Sequence, residues 1–164
     1  MASEEATALI ADIHRAFGTF TQPGRYVVDD LYEPERLDYE EMLGGKPREA
    51  IEALDFGLVS WSPLTYLSPQ AAGYLLPRLV ELAENGSKDR DGDLFLMRFI
   101  LYISLGPSCE MFSLFTHEQR RLIAAYLQHV KRHHLMVVTE ECWDGTLEEA
   151  LRAWSGAAST SSLS

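Results

Sequence analysis

Hydrophobic residues recur along this chain at the three- and four-residue spacing that is typical of amphipathic helices. The first such stripe consists of Leu9, Ile10, Ile13 and Phe17. Ser3 precedes the stripe as a candidate N-cap, and Gly18 follows it. The pattern therefore predicts a helix over residues 4–17.

A second helix is indicated by its start and stop residues. Ser68 is a candidate cap, and Pro69 occupies the first turn, where proline is favoured. A leucine-rich stripe follows and ends at Asn85. Pro77 lies inside this stripe, so we expect it to kink the helix or to split it in two.

Two later segments match the capping-box pattern, in which a threonine and a residue three positions on satisfy each other's backbone groups. Thr116 with Gln119 begins an apolar stripe that continues to Val130. Thr146 with Glu149 predicts a short helix that ends near residue 154.

The most apolar segment, residues 94–105, is hydrophobic nearly all round and belongs to a predicted helix over residues 93–106. A buried strand is the competing interpretation, but its length of about a dozen residues favours a helix. A helix that is apolar on every side is buried, so this segment is predicted to be the central helix of the fold.

The pattern is weaker elsewhere. Residues 35–43 are interpreted as a helix that is closed by Gly44 and Gly45, and Pro47 as the start of a helix that continues to about residue 56. One short hairpin is an option, either near Tyr26 or over residues 135–139.

Together these elements predict an all-α, single-domain bundle of about six helices over residues 1–154, followed by a flexible polar tail over residues 155–164. The composition agrees, since 46% of the 164 residues are hydrophobic and 24% are charged, as in ordinary globular domains. The N-terminus lacks the basic region of a signal peptide, and the apolar central segment is too short to span a bilayer. We therefore expect a cytoplasmic protein without a membrane partner.

The net charge of −11 disfavours general nucleic-acid binding, because phosphate backbones repel an acidic protein. The acid is concentrated in residues 1–60, which carry 13 acidic and 5 basic side chains. Its densest part interleaves tyrosines with carboxylates, and we predict that this set binds a partner: Tyr26, Asp29, Asp30, Tyr32, Glu33, Glu35, Asp38, Tyr39, Glu40 and Glu41. A solvated acidic loop over the core is the alternative.

Three groups of residues have types or spacings that occur in metal-binding or catalytic sites. The aspartates at positions 89, 91 and 93 resemble the start of a calcium loop, but the glycine and glutamate of such a loop are missing, so a polar turn facing a helix N-terminus is expected. His129 and His133, with His134 or Glu140, have a spacing that could hold a metal ion, yet histidines and basic residues also suit a helix C-terminus. We therefore predict no metal and no cofactor.

No residue is assigned to catalysis. Cys109 and Cys142 do not form a C-x-x-C motif, and no histidine is fixed beside Cys109 by the sequence. The nucleophile-elbow and glycine-rich phosphate-loop patterns are also lacking from the sequence. The chain is therefore interpreted as a binding protein rather than an enzyme.

The order of several motifs resembles an uncharacterised family of small bacterial proteins that contain a domain of unknown function. The matching segments are residues 15–17 (RAF), the acidic stretch before residues 44–46 (GGK), and residues 66–77 (YLSPQAAGYLLP), 115–121 (FTHEQRR) and 150–154 (ALRAW). This chain departs from the family pattern at Gly73, where a bulky or charged residue is expected, and at Leu75, where a tyrosine is expected. The resemblance implies a bacterial origin and a helical fold and assigns no function.

These observations favour a non-catalytic protein that binds a basic protein, most plausibly an immunity or antitoxin-like protein that occludes a basic toxin. A helical protein that binds or hydrolyses a small ligand in an aromatic cleft near Trp61 and Tyr66 is the second hypothesis. A nucleic-acid mimic is a third.

Overall fold

The computed structural model describes residues 3–160, with side chains for residues 3–156. It contains seven α-helices joined by short 3₁₀ turns within that range: α1 (Glu4–Ala16), α2 (Glu33–Leu43), α3 (Pro69–Glu84), α4 (Phe95–Ile103), α5 (His117–His133), α6 (Leu135–Glu140) and α7 (Asp144–Thr160). Over residues 3–160 the only β-type pairings are isolated bridges. The prediction of an all-α bundle is confirmed.

Helix α4 lies at the centre of the bundle, as its apolar sequence predicts. It packs against α3 and α7, while α5 packs against α7 and α1. Every residue of α4 is buried except Leu101. The helix is shorter than the predicted 93–106, because Leu94 is extended and bridges to Lys88, and the helix ends before Ser104.

Local capping signals position three of the helices. Ser3 and Ser68 each accept a backbone N–H three residues on, at 3.1 Å. Thr116 and Gln119 satisfy each other's backbone groups at 2.8 and 3.2 Å, as a capping box should. Each such cap is worth about 1 kcal/mol, which helps to fix where a helix begins.

Two predictions about the last helix, its start at Thr146 and its end near Trp154, were wrong. Thr146 lies inside α7, which begins at Asp144 and continues through Thr160, so the helix does not end at Trp154 and residues 155–160 of the predicted tail are helical. Residues 161–164 of that tail lie outside the described part of the chain. Of the two outcomes expected at Pro77, a kink or a split, the split does not occur, because α3 continues from Pro69 to Glu84 and its buried packing outweighs one lost backbone hydrogen bond.

The helix predicted over residues 47–56 is replaced by two separate 3₁₀ turns, Arg48–Ala50 and Ala53–Phe56. Ile51 lies between these turns and is fully buried, like Phe56, and the Ile51 carbonyl accepts a hydrogen bond from Arg78 of α3 at 2.8 Å. Tertiary contacts therefore decide the local backbone here.

Neither hairpin option is correct. Residues 135–140 form α6, and Val27 next to Tyr26 forms an isolated bridge to the distant Leu67 instead of pairing with a neighbouring strand. Among the described residues, no helix is both long and apolar enough to cross a membrane.

The aspartate turn before α4 is a polar turn, as expected, and its carboxylates contact an arginine. Asp89 accepts the backbone N–H groups of Asp91 and Asp93 through one oxygen, at 2.9 and 3.1 Å. Its other oxygen lies 3.1 Å from the guanidinium of Arg98 in α4. Arg98 thereby supplies the positive charge that a calcium ion would supply in a metal-binding loop.

Candidate functional site

The predicted tyrosine and carboxylate segment is divided between the core and the surface. Tyr26 and Tyr39 are buried, whereas Tyr32 is 73% exposed. The Tyr26 hydroxyl donates to the Lys46 carbonyl, and burial raises the pKa of Tyr26 to about 12, so the phenol remains a donor. Tyr26 and Tyr39 therefore present almost no surface to a partner in this structure, and the prediction that they contact one stays a prediction.

Two of the predicted carboxylates, Glu35 and Glu40, are also only partly exposed. Glu40 accepts the backbone N–H of Val27 at 2.8 Å, which ties α2 to the extended segment that precedes it. Glu35 is half-buried on the same helix. We conclude that Glu40 has a structural task and that Glu35 contributes little free carboxylate surface.

The remaining carboxylates form what we call the acidic face, which consists of Asp29, Asp30, Glu33, Asp38 and Glu41. All five are exposed, two in the turn before α2 and three along the outer side of the helix. Asp29 and Glu33 lie near Arg25 and Arg36, at 3.2 and 3.8 Å. Exposed pairs of this kind are worth at most about 1 kcal/mol, so both carboxylates can exchange partners.

Aromatic side chains from another segment pack against the buried Tyr39 of α2, and one of them, Tyr66, lines a cleft together with Asp30. The ring of Tyr39 is 5.2 Å from Trp61 and 5.2 Å from Tyr66. Trp61 is 39% and Tyr66 37% exposed, so these two residues provide the aromatic surface that the sequence had assigned to Tyr39. Leu37, on the outer side of α2, adds an exposed apolar side chain.

A cleft of about 340 Å³ adjoins Tyr66, close to the position of the predicted small-ligand site. Asp30 and Cys109 are among its lining residues. A separate apolar groove of about 240 Å³ lies between residues 59–65 and α4, with Leu101 on its wall. The Trp61 ring packs against Tyr39 at a tilted angle and is not among the residues that line either opening.

A second polar cluster lies where α1, α3 and α5 meet, and Glu84 is at its centre. The Glu84 carboxylate accepts hydrogen bonds from Tyr126 and His129 at 3.0 Å and from His134 at 3.1 Å. Burial alone would raise the pKa of Glu84, but the hydrogen bonds from His134 and His129 outweigh it and lower the pKa to about 2. The hydrogen bond to Glu84 in turn raises the pKa of His134.

The outer side of this cluster contains Glu5, His133 and Arg132. His133 lies 3.0 Å from one oxygen of Glu5, and Arg132 donates to the other. The predicted histidines are thus brought together, but Glu5 and Glu84 are their acidic neighbours, where the sequence suggested Glu140. No local signal could have identified these two carboxylates, because they come from α1 and from the end of α3.

The Glu84 cluster predicts a pH-dependent contribution to stability. Since the pKa of Glu84 is lowered in the folded chain, its contribution is full above about pH 4.5 and is lost as the pH falls toward 2. The contribution of His134 is full below about pH 6.5 and is lost as the pH rises through its raised folded pKa. We expect the difference in free energy of unfolding between the wild-type chain and Glu84→Gln to be largest between these two limits.

Urea unfolding at acidic, intermediate and alkaline pH measures this difference. Glu149→Gln, at an exposed position of α7, is the matched control and should give a small difference at every pH. The prediction is contradicted if the difference in free energy of unfolding between the wild-type chain and Glu84→Gln is the same at about pH 3, at intermediate pH and at about pH 8.

Comparison with known proteins adds no relative: no family model matches the chain, and no similarity to a curated protein or to a solved structure was found. The resemblance to a bacterial family therefore stays a prediction. Gly73 lies directly against the ring of Phe20, where a larger residue would not fit without movement of the ring. The helical fold and the acidic face remain the features from which function can be argued.

Proposed function

We propose that this chain is a non-catalytic protein-binding module whose acidic face binds a basic protein. The supporting observation is that five carboxylates before and along α2 are exposed, and that one of them, Asp30, lines the same cleft as the half-exposed ring of Tyr66. Carboxylates on one face attract lysine and arginine side chains, and aromatic side chains provide contact area at low entropic cost.

The carboxylates and the aromatic rings of this surface have different roles in the proposed binding. The acidic face steers a basic partner and forms charge-assisted hydrogen bonds to it. Trp61 and Tyr66 are held in place by Tyr39 underneath, so they lose little conformational freedom when a partner covers them. A surface of this kind combines rapid association with a rigid anchor.

An immunity or antitoxin-like role fits this chemistry best. A toxin that acts on nucleic acid needs a basic surface, and a small acidic protein that covers this surface blocks access to the phosphate backbone. The charge of this chain is concentrated where such a partner would dock, since residues 1–60 carry 13 acidic and 5 basic side chains.

Charge reversal tests the proposal. We expect Glu33→Lys, Asp38→Lys and Glu41→Lys together to abolish capture of a basic partner by the immobilised full chain and to lower the association rate by at least about tenfold. Glu40 is left unchanged because it is bonded to the backbone of Val27. Capture followed by mass spectrometry identifies the partner, and surface plasmon resonance at two salt concentrations measures the rate.

The matched control reverses the same number of charges elsewhere. Glu140, Glu141 and Glu149 are exposed and lie in the C-terminal part of the chain, far from α2 in sequence. Their replacement by lysine changes the net charge by the same amount as the three substitutions on the acidic face. Capture should survive in this control, and both variants should keep a helical circular dichroism spectrum. Equal capture by the two variants, or equal loss, would contradict the proposed surface.

Binding of a small ligand in the cleft beside Tyr66 is the second candidate. The observation that favours it is the volume of about 340 Å³, which lies at the lower end of ligand-pocket sizes. A function located in this cleft would be sensitive to substitution of Cys109 or Met111, which line it, and insensitive to the charges on the outer side of α2.

A further inference from the structure

Three histidines and two glutamates gather at the end of α5, and His129 lies between the two acids. His129 is 1% exposed, and its Nε2 atom is 3.0 Å from Glu84. Its Nδ1 atom is also buried, yet it has no hydrogen-bond partner within the described part of the chain. Buried polar atoms are almost always paired, so this nitrogen requires an explanation.

The hydrogen bond to Glu84 indicates which nitrogen of the His129 ring carries a hydrogen on that side. An ionised carboxylate can only accept hydrogen bonds, so the hydrogen must be on Nε2. In the neutral ring, Nδ1 then carries a free lone pair. Metal-binding histidines have this arrangement, in which one nitrogen donates to a carboxylate and the other binds the ion.

Two more ligand atoms lie on the side to which Nδ1 points. One Glu5 oxygen is 3.9 Å from His129 Nδ1, and the other is 3.0 Å from His133 Nε2. His129 and His133 are one helical turn apart on α5, and their ring centres are 4.7 Å apart. The ligand atoms of the three residues all lie within 4.8 Å of one another.

We propose that His129, His133 and Glu5 bind a divalent transition-metal ion of the Zn²⁺ class, with Glu84 orienting the His129 ring. Two imidazoles and one carboxylate suit Zn²⁺, whose bonds of about 2.0–2.2 Å separate tetrahedral ligand atoms by roughly 3.4 Å. Glu5 and His133 are exposed, so their side chains are free to rotate and bring the ligand atoms, now within 4.8 Å of one another, to that separation. Three protein ligands leave the fourth position to water or to another ligand.

A neighbouring set, Glu84 with His129 and His134, is less suited to a metal. Glu84 already accepts hydrogen bonds from Tyr126 and from both histidines, so a metal ion would have to break these bonds. At the proposed site, only the contacts of Glu5 with His133 and Arg132 must adjust. The free lone pair is directed to this side.

Metal titration of the untagged full chain tests the site. After treatment with a chelator, isothermal titration with Zn²⁺ alone should give one ion per chain, and Co²⁺ should give the absorption bands of a tetrahedral site. We expect His133→Ala and Glu5→Gln each to weaken Zn²⁺ binding by more than about tenfold, since even loss of an orienting residue has an effect of this size. Both residues are exposed, so the variants should fold.

Two control histidines make the result decisive. His117→Ala, at the far end of α5, should leave Zn²⁺ binding unchanged. His134→Ala should also retain one ion per chain, because it removes only a hydrogen bond to Glu84. Absence of stoichiometric Zn²⁺ binding would overturn the proposal, and so would loss of binding in His134→Ala with retention in His133→Ala.

Discussion

Replacing Arg98 with methionine is expected to lower the free energy of unfolding by about 3–5 kcal/mol. The Arg98 side chain is 3% exposed and that of Asp89 1% exposed, with 3.1 Å between the charged groups. Arg98 also donates to the carbonyls of Phe56 and Gly57, at 3.0 and 2.9 Å. The substitution therefore leaves a buried carboxylate without its charge partner and two buried carbonyls without a donor, which accounts for the large effect.

Chemical denaturation of Arg98→Met and Asp89→Asn, singly and together, measures this effect. The asparagine retains an oxygen that accepts the backbone N–H groups of Asp91 and Asp93, so the double variant should lose less than the sum of the two single losses. Arg121→Met removes an exposed pair with Glu118 and should change stability by less than about 1 kcal/mol. A loss of that small size in Arg98→Met would show that the arginine is not essential to the fold.

The contrast between Arg98 and the helix caps shows which features can be predicted from sequence. Ser3 and Thr116 bond to groups three residues away, so their role follows from local pattern alone. Arg98 stands out in an apolar segment next to three aspartates, but its carbonyl partners lie about forty residues earlier. No local rule identifies partners at such a separation.

Only part of the candidate surface could be predicted, because the sequence shows which residues are acidic but not which side chains the fold buries. The many carboxylates of α2 are evident from the sequence itself. The burial of Tyr39 depends instead on which side of the helix this residue occupies. Tyr39 and Leu43 are four residues apart and both buried, so they define the inner side of α2. That spacing was available in the sequence, but composition alone does not distinguish an exposed tyrosine from a buried one.

The capping-box motif also shows the limits of local signals. Thr116 and Thr146 match the same pattern, yet only the first begins a helix. Helix α7 begins two residues before Thr146, and Leu147, Ala150 and Leu151 form the inner side of its first turns. This face packs against α5, and the packing stabilises a helix that begins before the capping-box motif.

Gly73 is expected to resist even the smallest substitution. A Cβ atom at this position would lie 2.4 Å from the ring atoms of Phe20, which is far inside van der Waals contact. Phe20 is itself confined by Phe17 and Phe115, whose ring centres lie 6.0 and 6.1 Å from the centre of the Phe20 ring. We expect Gly73→Ala to lower the free energy of unfolding by about 1–3 kcal/mol. Alanine is ordinarily favoured over glycine inside a helix by about 1 kcal/mol, so the sign is opposite to the usual one.

A double-mutant cycle with Phe20 separates the steric effect from helix propensity. Phe20→Ala removes the ring that a Cβ at residue 73 would meet, so Gly73→Ala should become stabilising in that background, by up to about 1 kcal/mol. Gly145→Ala in α7, where no atom lies within 4 Å of the added Cβ, should be neutral or stabilising in either background. Urea midpoints measure all the variants. Because helix propensity is the same with or without the ring, an effect of Gly73→Ala that did not depend on Phe20 would show that this contact does not select the glycine.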